Sequence, residues 1–145
     1  MKIDQYEFPD DLLYDKEHNW ARVEGESATI GLSDFGQDLA GEIVYAEVPR
    51  VGRELKQGAP FMSLESGKWV GRVKAIFSGK IAEANEEIEW ESTIINDDPY
   101  GEGWFVKMEL SGQPETSSDP AEVLMKPSDP EFAAFIAAER EKYGK

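Results

Sequence analysis

Apolar and polar residues alternate in short runs along most of this chain, at residues 19–23, 27–32, 43–48, 60–66, 69–75, 80–84 and 104–110. A period of two is the mark of a strand with one buried face. Several runs stop at turn dipeptides, among them Glu24-Gly25, Val51-Gly52, Gln57-Gly58 and Ser78-Gly79, which predicts a small β sandwich or barrel. The period changes once, in SDFGQDLAGE over residues 33–42. There Ser33 is placed to cap a short helix, Phe35 and Leu39 fall on one face, and Gly41 ends it.

From Gly112 the composition turns polar and turn-rich, in GQPETSSDP. Asp119-Pro120 and Asp129-Pro130 then each set a capping residue before a proline at a first helical position, and Phe132, Phe135 and Ile136 make an apolar stripe. The expected organisation is a polar leader over residues 1–13, a β domain over 14–111, and a helical extension over 112–145 packed on it.

Composition narrows the chemistry. A chain of 145 residues buries roughly 68–70% of its unfolded surface and needs no cross-links. It has no cysteine and a single histidine, His18, which excludes disulfide scaffolds, zinc clusters and Cys nucleophiles. Residues 1–11 lack the apolar stretch of a signal peptide, and no apolar run approaches the roughly 18 residues of a membrane span; the expectation is a soluble, cytoplasmic protein. A net charge of −15, from 30 acidic against 15 basic residues, opposes binding to nucleic acid and favours solubility and basic partner surfaces.

Two alternating runs meet at Gly67-Lys68. Glycine at the first position of a two-residue hairpin suits a type II′ turn with positive φ, which would set Lys68 at the tip, open to modification and anchored by the sheet. Ser78-Gly79-Lys80 offers a second such lysine, and turn lysines commonly serve solubility alone. Local geometry leaves both open.

Tyr14, Lys16-Glu17-His18 and Trp20 resemble the opening Y-x-K-E-H-E-W of the glycine cleavage system H-protein family. Residues 28–34, ATIGLSD, are similar to its A-T-[IV]-G-[IL]-[ST]-D, and 41–44, GEIV, to its G-[DE]-I-V. Glu65-Ser66-Gly67-Lys68 matches E-S-V-K at three of four positions. Asn96, Pro99-Tyr100 and Gly103-Trp104 follow N-x-x-P-Y-x-x-G-W, so the resemblance runs from about Tyr14 to Leu110. It implies a mainly β barrel-sandwich hybrid fold and (R)-lipoate attached to Lys68, working as a swinging arm without an active site of its own. It also separates the two lysines, because the family's modified lysine follows a glutamate by three residues and precedes a glycine by eleven. Glu65 and Gly79 meet that rule for Lys68, whereas Lys80 has Phe77 and Glu91 there.

The resemblance further implies an arm cleft whose acidic groups hold a cationic aminomethyl cargo. At those two positions this chain has Asn19 and Arg72. A unit-charge pair at a few ångströms is worth up to about 4 kcal/mol at an effective dielectric near 20, so the exchange disfavours a cation. Trp69 replaces an alanine beside the lysine, as a lid over the arm or as a packed aromatic, and His18 is a structural or cleft residue. The ESGKWVG stretch is similar to that of H-like lipoyl carriers of bacterial sulfur oxidation. The preferred expectation is therefore a sulfur-oxidation carrier; the alternatives are a glycine cleavage H protein and an unmodified interaction module. The implied partners are a lipoate-attachment enzyme, dihydrolipoamide dehydrogenase, and either a heterodisulfide-reductase-like complex or the glycine cleavage P and T proteins, serving a monomer.

Overall fold

The computed structural model describes residues 1–110 and 124–144. A sheet of six strands runs β3 (Leu13–Tyr14), β4 (Asn19–Glu24), β5 (Ser27–Leu32), β11 (Val106–Leu110), β10 (Gly79–Ala84), β7 (Glu54–Leu55). A second sheet of three strands runs β6 (Ile43–Glu47), β8 (Pro60–Ser66), β9 (Val70–Lys74). All pairings are antiparallel. The inward residues of both sheets, including Ala21, Ile30, Ile81 and Met108 from one and Ala46, Leu64 and Val73 from the other, share a single core. The alternation predicted from sequence is thus realised as two layers closing on one apolar interior.

Helix α1 (Asp34–Ala40) forms where the capping signals place it. The Ser33 hydroxyl accepts the Gly36 N–H at 3.1 Å, and Gly41 ends the helix with φ at 84°. Two further single-turn helices, α2 (Glu87–Trp90) and α3 (Ile94–Asp97), were not legible as helices, since each is one turn held by what it packs on. Ile88 and Ile95 anchor them in the core.

The segment expected to be a polar leader folds. Strands β1 (Lys2–Ile3) and β2 (Tyr6–Glu7) pair with each other, and Tyr6, Phe8 and Leu12 are buried in a second core with Tyr14, Trp20, Phe35, Met125, Phe132 and Ile136. Six polar or charged residues among the first twelve hide three buried apolar ones, spaced two and four apart, which fits no single period. Helix α4 (Pro130–Tyr143) contributes Phe132 and Ile136 to this core, as its apolar stripe predicts, and the Asp4–Arg140 ion pair joins it to the N-terminal hairpin. Pro130 occupies the first turn, but the Asp129 carboxylate accepts the Lys126 N–H at 2.9 Å and makes no hydrogen bond to the helix. The expected linker from Gly112 and the Asp119-Pro120 helix start lie outside the described residues. No helix among the described residues is long and apolar enough to cross a membrane.

Phe132 is 1% exposed and meets Phe8 and Tyr14 with ring centroids 5.0 Å from each. Truncation of a buried Phe costs about 3–5 kcal/mol. Phe132→Ala is therefore expected to lower the unfolding free energy by that amount and to release α4, read as faster amide exchange along residues 130–143; unchanged exchange would contradict this packing.

Candidate functional site

Strands β8 and β9 are joined by a tight turn that ends the three-stranded sheet. The Ser66 N–H donates to the Trp69 carbonyl at 2.7 Å, and the Lys68 N–H donates to the Ser66 hydroxyl at 3.3 Å. Lys68 is exposed at the tip. The type II′ turn expected from Gly67 is not formed, because Gly67 is not among the residues with positive φ. A Cβ there would meet nothing within 4 Å, so this turn imposes no need for glycine, in keeping with the valine of the family motif.

The Lys68 side chain lies against Gly41, at the end of α1. A Cβ on Gly41 would stand 2.9 Å from Lys68 Cε and 3.7 and 3.8 Å from Cδ and Cγ. Gly41 therefore serves twice: it adopts a φ of 84° that side chains disfavour, and its missing Cβ leaves a cradle for the lysine stem. Sequence reasoning saw only the first of these. Its second role has a sequence signal in the GEIV motif but no local one.

Asn96 holds the cradle in place. Its Oδ1 accepts the Ile43 N–H at 2.8 Å, and its Nδ2 donates to the Gly41 carbonyl and to Gln37 Oε1, each at 2.9 Å. One side chain on α3 thus ties the end of α1 to the start of β6. Gly41 also lines a groove of about 240 Å³ that includes Asp38, Glu42 and Asp97.

The other expected site residues divide into groups. Glu65 is half-buried on β8, between Tyr45 and Val70 in the cross-strand register. Trp69 lays its indole over Gly71, where a Cβ would stand 2.1 Å from the ring; it packs on its own strand, and Gly71 is what makes room. Arg72 is exposed and alternates with the buried Val73, so its guanidinium lies on the solvent face of β9. Gly79 lies in the other sheet, and a Cβ there would come 2.3 Å from the Glu109 carbonyl oxygen. Close backbone approach is sufficient reason for that glycine.

His18 and Asn19 sit near the other end of α1, a seven-residue helix roughly 10 Å long at 1.5 Å per residue. The His18 backbone packs on Gly36, and its ring lies between Phe35 and Phe135, with centroids 5.0 and 5.4 Å away. Its Nε2 is 2.8 Å from Glu139 Oε1. Burial pushes the His18 pKa down, against the opposing pull of Glu139. His18 is thus a clasp on α4. Asn19 is 3% exposed and its Oδ1 has no hydrogen-bond partner, while its backbone N–H donates to Asp15 Oδ1 at 2.8 Å. Burial raises the Asp15 carboxyl to about 6, although hydrogen bonds from Asn19 and Glu17 lower it in part.

Several known proteins are similar to this chain. The family profile described as Glycine cleavage H-protein matches residues 12–131. The glycine cleavage system H protein of Symbiobacterium thermophilum is 49% identical over 107 residues, covering 74% of this chain and 84% of that protein. That of Rubrobacter xylanophilus is 41% identical over 112 residues, covering 77% and 89%. The crystal structure of a glycine cleavage system H protein from Mycobacterium marinum superposes with a TM-score of 0.76 at 26% identity, covering 90% of this chain and 99% of that one. These matches give no support to the preferred expectation of sulfur oxidation, nor to a heterodisulfide-reductase-like partner. They back the glycine cleavage alternative.

Two outcomes test this geometry. Gly41→Ala forces a side chain into a backbone conformation nearly reserved for glycine, at a cost of about 1–3 kcal/mol, and displaces Lys68; a melting temperature equal to the parent's would contradict it. Asp15 holds its proton to higher pH in the folded chain than in the unfolded one, so between about pH 4 and 6 its ionisation erodes stability as pH rises. The stability of Asp15→Asn relative to the parent should therefore increase across that window in thermal melts. A difference independent of pH would contradict the burial of this carboxyl.

Proposed function

This chain belongs to the glycine cleavage H-protein family, and on that premise we propose that it is a lipoyl carrier whose arm is attached to Lys68 and serves glycine cleavage. The observation that carries this reading is the exposed lysine at the tip of a sheet-anchored hairpin, with its stem resting in the cradle left by Gly41. The fit to the prosthetic group is good on that ground: an amine at the end of a stem held by a rigid base can form an amide with a carboxylic acid, and the attached group keeps its freedom beyond it. When bound, a lipoyl group supplies a dithiol that takes up cargo and releases it.

What the chain itself contributes is position and charge. Ser66 and Trp69 hold the turn, and Asn96 holds the Gly41 cradle against β6. Asp38, Glu42 and Asp97 make the groove beside the cradle acidic, an environment that favours positively charged over negatively charged cargo. The contrary expectation rested on Asn19 and Arg72; the exposed charge of Arg72 is screened by solvent and so worth little. Asn19 Oδ1, buried without a partner, leaves one neutral acceptor near the far end of α1.

Within this reading the chain is a non-catalytic carrier. Its partners are the lipoate-attachment enzyme, dihydrolipoamide dehydrogenase and the P and T proteins of glycine cleavage. Glu65 lies three residues from Lys68 on the same hairpin, where an attachment enzyme would meet it.

Lys68→Arg keeps the charge and cannot be acylated in the same way. It is expected to abolish turnover with purified glycine cleavage P and T proteins while leaving the melting temperature unchanged, whereas Lys80→Arg should behave like the parent. Undiminished turnover by Lys68→Arg, or none by a fully modified parent, would overturn the proposal.

A further inference from the structure

The large apolar side chains left exposed are not scattered. Of the eight among the described residues, five lie on the three-stranded sheet, its hairpin tip or the helix packed against it: Val44, Tyr45, Trp69, Val70 and Trp90. Trp90 is the extreme case at 88% exposed, and it lies on α2, which packs on β6. A concentration of exposed apolar surface marks an interaction site, where isolated exposed residues would not. The register aligns part of it in a row, with Tyr45 opposite Glu65 and Glu65 opposite Val70. Val70 is two residues from Lys68, so the row begins at the base of the arm.

Carboxylates surround Trp90 and Tyr45, while the exposed Arg72 and Lys74 lie on the same side of β9 as Val70. Glu86, Glu87 and Glu91 flank Trp90 in sequence and are exposed. Glu89 accepts the Val48 N–H at 3.0 Å, which fixes α2 to the end of β6. The Tyr45 hydroxyl donates to Glu47 at 2.7 Å. That hydrogen bond, together with the charges of Glu65 and Glu89, pushes the Tyr45 phenol pKa up, which ties α2, β6 and β8 into one electrostatic neighbourhood. The partner for such a surface needs an apolar pocket for Trp90 and a basic rim.

We propose that this face of the three-stranded sheet and α2 is the docking surface for the enzyme that acylates Lys68, with Trp90 as its apolar anchor and the neighbouring glutamates meeting basic side chains. This rests on the carrier reading above. The choice of partner follows from footprint. A standard interface covers about 800 Å² per partner, a disc of roughly 16 Å radius. An enzyme that forms a bond at Lys68 itself must cover the ground around the lysine's base, whereas a partner reaching the far end of a flexible arm need not.

The test uses Lys68→Arg protein, which cannot be consumed during binding, titrated calorimetrically against a purified lipoate-attachment enzyme. Adding Trp90→Ser should raise Kd by about tenfold or more, the loss typical of a buried aromatic anchor. Adding Glu87→Lys instead should weaken binding at low salt and flatten the salt dependence of Kd. Circular dichroism of both should match the parent, since both side chains are exposed. Affinities within twofold of the Lys68→Arg parent would overturn the proposal, as would no binding by that parent, or a Trp90→Ser defect seen only with dihydrolipoamide dehydrogenase or the P and T proteins. The carrier reading fails separately, through absence of an adduct on Lys68 of the unsubstituted protein.

Discussion

One half-buried amide, the side chain of Asn96, decides where the candidate arm stands. Its hydrogen bonds to Ile43, Gly41 and Gln37 join α3, β6 and the end of α1. Each such bond is worth about 0.5–1.5 kcal/mol net, but loss of the amide would leave the inner backbone groups without partners at about 1–3 kcal/mol each. That asymmetry makes the junction rigid. Rigidity there is what the function needs, because Gly41 is the surface on which the Lys68 stem rests. A mobile arm is useful only if its base is not mobile too.

The same economy runs through the rest of the molecule. The two-layer core supplies a stiff platform for the hairpin, and the second core fastens both termini of the described chain to α1 and β4. His18 shows how the two are linked. Expected from sequence to be a structural or cleft residue, it spends its ring and its Nε2 on Phe35, Phe135 and Glu139. Five of the eight large apolar groups exposed among the described residues lie on the layer that bears Lys68 or on α2 beside it, so the exposed apolar surface is concentrated near the arm.

Much of this was legible in the residues. Strand alternation, the Ser33 cap and the Gly41 stop all read out correctly because they depend on neighbours within a few positions. Lys68 was singled out by family resemblance, since spacing alone left Lys80 open. What failed to read out depends on contacts distant in sequence. Gly67 was assigned a strained turn that the hairpin does not adopt. Tyr6, Phe8 and Leu12 became core only because α4 covers them. Arg72 stands on the exposed side of β9, and the carboxylates that line the groove by Gly41 come from α1, the residue before β6, and α3. Trp69 and Gly71 form a pair that neither residue announces alone.

Peptide mass spectrometry of protein isolated from its native host tests the central claim most directly. A lipoyl-sized increment confined to the peptide containing Lys68, with the peptide containing Lys80 unmodified, is the predicted result. Lys68 without any adduct, or the adduct on another lysine, would contradict the carrier account.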